Sequence, residues 1–460
     1  MFGLTVSVLS VLAVLHTALA LPVMRPRDST KYVFAHHMVG NTYPYTSENW
    51  LSDINLAHAN GIDAFALNMG SDSWQQARVS DAYAAATSSG TGFKMFISLD
   101  MSILPCTSSA DAQSIKSLIS SFSSNPAQFM YNGLPVVSTF SGETCTFGTA
   151  NVADGWESVF SGMNVFFVPA FFPTNGNDFS VFGNVINGLF QWNAGWPTSL
   201  TSGGSPGLSD LLPAALQSLI GSLSPDNAWI GALGGKEYMA SVSPAFFTHY
   251  GADSYNKNWI YVGDEHLYAE RWENLVSARS SFNMVEVISW NDFGESHYIG
   301  PYSYAAQPNS QAWVDGFDHQ GWLTLTKYYA EAFKTGQYPS ITNDSVTMWA
   351  RPHSRAAVAT NDPVGLPTSA DMMSDTLWAV ALLSQPATVT LSTSPTNSKS
   401  FNLPAGANKI SIPLEAGGPL HAVVTRNGVN TVDLQSSNYT FQPTTVEAYN
   451  FNFYVISSAS

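Results

Sequence analysis

The sequence predicts an α/β protein, a (β/α)8 barrel followed by a smaller antiparallel β-sandwich. Three observations lead there. Eight continuous apolar, β-rich runs lie between Lys31 and Trp290, as the strands of a parallel sheet covered on both faces should read. Helical-period segments separate most of them, giving the alternation of βα units. From about Asp375 the texture changes to short alternating runs with an Asn427-Gly428 turn, the mark of antiparallel hairpins. A doubly wound open sheet would read similarly. No Gly-rich phosphate turn opens the first helices, however, so dinucleotide binding has no support and the closed barrel is favoured.

In chain order, the first strand is KYVFAHHMV (31–39). SENWLSDINLAHANG follows, with Trp50, Ile54 and Ala57 at helical spacing between a Ser47 start signal and a Gly61 stop. GIDAFALNM (61–69) and FKMFISLDM (93–101) are the next strands. After Cys106 a helix carries Ile115, Leu118, Ile119 and Phe122 on one face before Pro126 closes it. Strands continue with LPVVSTF (134–140), NVFFVPAFF (164–172), GLFQWN (188–193), EYMASVSP (237–244) and MVEVISW (284–290), and WIYVGDEH (259–266) is an extra extended piece. A helix around Trp322 to Phe333 completes a barrel expected over 28–340. Residues 341–374, rich in Pro, Ser and Asn, are expected to link or pack, and TLWAVALL, ATVTLS, KISIPL, HAVVTR and VNTVDL build the sandwich over 375–460.

Residues 2–20 are almost wholly apolar and end in Ala18-Leu19-Ala20, which suits signal peptidase; residues 21–27 read as a short segment trimmed after Arg27. A membrane anchor is the competing reading, but no second apolar stretch of that length follows. The chain is therefore expected outside the cell, where Cys106 and Cys145 would pair in one local disulfide tying two strand-end loops. The sequons at Asn343 and Asn438 fit the same route. Charged residues are 11% of the chain and the net charge is −16, a field that repels nucleic acid and anionic membrane. A neutral partner and a monomer are expected.

Side chains at the C-terminal ends of barrel strands converge on one mouth. That list includes His36 or His37, Asn68, Asp100, Glu143, Trp192, Trp290, Asn291, Asp292 and Glu295. Aromatic rings for stacking on sugar C–H faces, with amides and carboxylates for hydroxyls, resemble a glycan cleft. The sharpest constellation is ISWNDFGESHYIGP (288–301). On a regular strand Asp292 and Glu295 would face opposite ways, but a turn at Gly294 would let both enter the cleft as an acid and base pair. Asp264 is a supporting candidate, set against a simple role at a helix start. No HExxH, Cys/His quartet or clustered His set supports a metal, no cofactor is indicated, and no GxSxG elbow supports a serine nucleophile.

KYVFAHHMVGNTYPYT, DAFALNMGSDSWQ, FKMFISLDMS, GLPVVSTFSGE, ISWNDFGESHYIGP and MWARPH together resemble the fungal α-1,3-glucanases, or mutanases, of glycoside hydrolase family 71, over roughly residues 31–460. The resemblance implies hydrolysis of α-1,3-glucan by an inverting two-carboxylate mechanism. It places the catalytic pair at Asp292 and Glu295, here expected to be base and acid respectively. His36, Asn68, Asp100, Trp192, Trp290, Asn291, His297 and Tyr298 are the candidates for holding glucosyl units. Action on another wall polysaccharide, transglycosylation, or non-catalytic wall binding are the competing readings.

Overall fold

The structure, a computed structural model, describes residues 29–174, 176–200 and 219–459; the expected leader at 1–20 and trimmed segment at 21–27 lie outside the described residues. Within the described part, no helix is long and apolar enough to cross a membrane. The fold is mixed α/β. Its N-terminal part is built on eight strands, β1 Tyr32–Met38, β2 Ala64–Met69, β3 Lys94–Asp100, β4 Leu134–Phe140, β5 Phe166–Phe167, β6 Gly188–Gln191, β7 Glu237–Val242 and β8 Met284–Val287. All their ladders are parallel, in the order β5-β4-β3-β2-β1-β8-β7-β6, so the sheet curls. No ladder joins β5 to β6, but Asn187 N–H donates to Phe167 O and Phe190 N–H to Pro169 O, both at 2.9 Å. The run expected over 164–172 is a regular strand only at Phe166 and Phe167 and is bridged once more at Ala170, opposite Phe140, with Pro169, which has no N–H to give, between the two.

Strand alternation sorts the core into two layers. Phe34, Ala66, Phe96, Val136, Phe190, Met239 and Met284 point inward, whereas Val33, Ala35, Phe65, Leu67, Ile97 and Val285 pack under the helices. His36 and His37 therefore part company. His36 meets Glu286 on the inner side, and His37 turns out against Trp50 and Asp53 of the helix Ser47–Ala59. That helix is capped by Thr46 in a reciprocal box with Asn49, one residue earlier than the Ser47 signal suggested. Cys106 and Cys145 are bonded, joining the loops after β3 and β4 as expected.

The C-terminal part holds two four-stranded antiparallel sheets. One runs Gly406–Pro413, Thr376–Leu383, Ser345–Ala350, Tyr454–Ser457; the other runs Asn397–Leu403, Ala387–Ser394, His421–Arg426, Val429–Gln435. Both sheets feed one buried cluster containing Met348, Ala379, Leu391, Ile410 and Val424. The expected linking segment 341–374 is corrected here, since Ser345–Ala350 is an interior strand of the first sheet. Its alternation explains why: Val346 and Met348 enter the shared cluster, while Trp349 turns to Trp322 of the helix Trp322–Thr335, 4.7 Å between rings. Asn343 and Asn438 are both exposed.

Candidate active site

After β8 the chain folds back on itself. Ser289 N–H donates to His297 O, Ile299 N–H to Ser289 O and Gly300 N–H to Trp290 O, leaving residues 291–296 as the tip. At that tip Gly294 passes so close to Tyr250 that an added Cβ would lie 2.2 Å from the phenol oxygen. Ser296 adopts φ +61°, which reverses the chain again. The result is what the sequence expected of Gly294: Asp292 and Glu295 face one another, with oxygens of each and a ring nitrogen of His297 all within 4.8 Å.

The two carboxyls have different neighbours. Glu295 accepts from Lys257 Nζ at 2.9 Å on Oε1 and from His297 Nε2 at 3.1 Å on Oε2. Ser289 Oγ accepts the Asp292 N–H at 2.8 Å and lies 3.0 Å from His297 Nδ1. With its own proton given to Nδ1, the imidazole keeps a proton on Nε2 to donate to Glu295. Burial pushes the Glu295 carboxyl up, but the His297 hydrogen bond and the Lys257 charge outweigh it and hold it down at about 2. Asp292 is shifted the other way, first by burial and then by the negative charge of Glu295. The Lys257 ammonium is held in its charged form by Glu295, Asp292 and Asp100 against the cost of burial. The Asp292, Glu295 and His297 set also has the donor chemistry for a cation, but one seated on Glu295 would compete with the Lys257 ammonium already there.

On this side of the sheet stand five of the residues expected to meet substrate. Trp192 packs edge-on to His36 at 4.7 Å and lies 6.3 Å from the His297 ring. His36 gives Nδ1 to Glu286 at 2.8 Å and leaves Nε2 without a partner among the described residues. His297 joins them through Glu295. Asp100 sits at the end of β3, where Oδ1 accepts from the Ser102 N–H and hydroxyl; its carboxylate caps that turn, and its negative charge favours the charged form of Lys257. Asn68, 3% exposed at the end of β2, has no hydrogen bond from its amide to the described residues.

Residues 29–460 match the family described as glycosyl hydrolase family 71. The chain belongs to that family. It is 40% identical to a glucan endo-1,3-alpha-glucosidase of Schizosaccharomyces pombe, over 93% of this chain and 94% of the relative. A mutanase of Penicillium rubens is 33% identical over 98% and 95%, and an ascus wall endo-1,3-alpha-glucanase of Schizosaccharomyces pombe is 30% identical over 92% and 96%.

In this family 71 chain, four expected substrate contacts are structural instead. Trp290 is fully buried against Phe65, behind the sheet rather than in the mouth. Asn291 is spent clamping strand ends: Oδ1 accepts the Met38 N–H at 2.6 Å and Nδ2 donates to Met38 O at 3.1 Å. Tyr298 is buried, stacked on His319 at 4.0 Å, and its hydroxyl donates to Phe317 O. Asp264 is buried in an ion pair with Arg351 at 2.7 Å, fastening the C-terminal part to the N-terminal one. Sequence reasoning missed Lys257, Ser289, Tyr250 and Glu286. Glu286 was findable, because on β8 it shares the inward phase of Met284. Lys257 was not, since it reaches Glu295 from a loop 38 residues away in sequence.

Proposed function

We propose that this chain hydrolyses α-1,3-glucosidic linkages of wall glucan outside the cell, with Asp292 and Glu295 as its catalytic pair. The observation that carries the reading is that two facing carboxyls have environments pushing their pKa values apart, the arrangement two-carboxylate glycosidases use. The family relatives named for α-1,3-glucan supply the substrate. Asp292, whose carboxyl retains its proton more readily, is the acid to the glycosidic oxygen; Glu295, held anionic by Lys257 and His297, is the base. This reverses the roles expected from the sequence. Trp192, His36, Asn68 and Asp100 hold the glucosyl unit. The eight parallel strands are read as a closed (β/α)8 barrel, supported by the Asn187 and Phe190 hydrogen bonds across its seam, and the two C-terminal sheets as a β-sandwich.

Inversion, implied by the sequence resemblance, calls for about 6.5–9.5 Å between carboxyl groups, against about 5–5.5 Å for retention. One oxygen of each carboxyl lies within 4.8 Å of the other, so the two groups face a common space, and the anomeric form of the product decides between the two geometries. The deciding experiment incubates the secreted protein with alkali-extracted α-1,3-glucan and follows the first sugars by proton NMR. β-Anomers first, absent with Asp292→Asn, support an inverting pair. α-Anomers first make Glu295 a nucleophile. Cleavage undiminished in Asp292→Asn removes the site assignment, and products longer than the substrate identify a transglycosylase.

A further inference from the structure

We propose that the cavity of about 500 Å³ between the 315–317 loop and the C-terminal strands is a second carbohydrate site, taking a neutral α-1,3-glucan segment away from the carboxylate pair. The identity of the sugar rests on the function proposed above; the chemistry of the cavity does not. Neither Asp292, Glu295, Lys257 nor His297 lines it.

Its walls carry rings at several heights. Phe317, Tyr449 and Tyr454 are each half-buried, and Tyr449 is held nearly parallel to Phe451, 5.9 Å between centroids and 15° between planes. Fixed, partly exposed rings are what a pyranose C–H face stacks on. Among the polar groups, His353 accepts the Asn450 N–H on Nδ1 at 2.9 Å. Its proton is thereby confined to Nε2, which makes no hydrogen bond to the described residues and stands as a fixed donor in a side chain 9% exposed. The charged side chains lining the cavity, Asp315 and Glu447, are both acidic, and no Lys or Arg joins them. A phosphate or carboxylate ligand would be repelled, whereas a neutral polyol finds acceptors, a donor and ring faces together. The cavity is also wired to the site. His249 lines it, held by Asn258 and Asp362, and the next residue, Tyr250, is the one pressed under Gly294.

The test compares binding to insoluble α-1,3-glucan, by pull-down in the Asp292→Asn background, with hydrolysis of soluble α-1,3-linked oligosaccharides by the active protein. Tyr449→Ala removes a ring, and Ala448→Arg blocks the cavity from an exposed position that the fold does not need. Each should weaken retention on the insoluble polymer about tenfold or more, for Tyr449→Ala the loss of one stacking contact of about 1.4 kcal/mol, and leave kcat/KM on the soluble sugar unchanged. Unchanged retention in both variants overturns the proposal, as does a loss that always accompanies loss of soluble turnover. Asn438 lines the cavity too, so a cavity-dependent effect seen only in Asn438→Gln protein would give the space to the chain's own glycan and also overturn it. If wild-type protein cleaves no α-1,3-linked sugar, the catalytic reading fails separately while the binding comparison still reads the cavity.

Discussion

Removing the Lys257 ammonium should move the entire pH profile toward alkaline values. The Nζ lies 2.9 Å from Glu295 Oε1, and the lysine side chain is 43% exposed. Two unit charges at that distance attract by about 1.4 kcal/mol in a medium like water and about four times that at an effective dielectric of 20; such exposure calls for the lower figure. That is about one pK unit. Glu295, held at about 2, would rise by about that amount in Lys257→Met. Asp292 also loses a favourable cation and moves up. If Glu295 is the base it must be ionised, so activity falls as pH drops through its pKa and the acid limb shifts upward. If Asp292 is the acid it must be protonated, so activity falls as pH rises through its pKa and the alkaline limb shifts upward too. The assay is kcat/KM on soluble α-1,3-linked oligosaccharides from pH 2 to 8, taken where circular dichroism shows a native fold. Limbs that stay put, or that move apart, would refute the reading of Lys257 as a charge that acts on both carboxyls.

Gly294→Ala should reduce kcat by about 10²-fold, because the added methyl must move away from the Tyr250 oxygen 2.2 Å distant and displaces the carboxyls on either side. Adding Tyr250→Phe should restore part of it, only part because ring carbons remain 3.0 Å away; no rescue would locate the cost elsewhere. Trp290→Ala should destabilise by about 3–5 kcal/mol in denaturant unfolding and leave KM near wild type, while Trp192→Ala, which removes a ring packed on Phe140, Phe190 and Trp196 as well as a wall of the site, should cost stability and raise KM together. Arg271 pairs with Asp226 at 2.6 and 2.7 Å in full burial, so Arg271→Met should cost about 3–5 kcal/mol by leaving Asp226 uncompensated, and a melt unchanged from wild type would contradict this.

Much of the fold was legible because it is written in short-range patterns. LPVVSTF, TLWAVALL and HAVVTR became strands with the expected bounds, and Asn427 and Gly428 both adopt the positive φ that their hairpin turn requires. The strand Ser345–Ala350 was not legible. It alternates, with Val346, Met348 and Ala350 on one face and Ser345, Thr347 and Trp349 on the other, but the run is only six residues long, and its two polar residues are buried by tertiary packing that the local pattern does not announce. In the site, the Asp292 and Glu295 pairing followed from Gly294, a local cause. The direction of their pKa shifts did not, because it depends on Lys257 and on which side of the pair His297 takes, and both are matters of tertiary placement.

The residues misread as substrate contacts share a physical explanation. A carboxyl pair fixed to within a fraction of an ångström needs buried side chains that lock the backbone on which it stands. In 288–301 that work falls to the polar and aromatic residues flanking the pair: Asn291 bridges to Met38, Tyr298 stacks on His319, Trp290 fills the space behind β8 and Ser289 ties Asp292 to His297. Amides and rings are chosen for holding as readily as for touching sugar, so composition alone cannot tell the two apart. The phase of the strand can do so only as far as Ile288, short of every misread residue in this segment. Residues continuing the outward phase of Val285 and Val287 pass behind the sheet, and those continuing the inward phase of Met284 and Glu286 reach the mouth, until the fold-back at Ser289 ends the alternation. Beyond that point hydrogen bonds, not periodicity, decide which side chain faces the sugar.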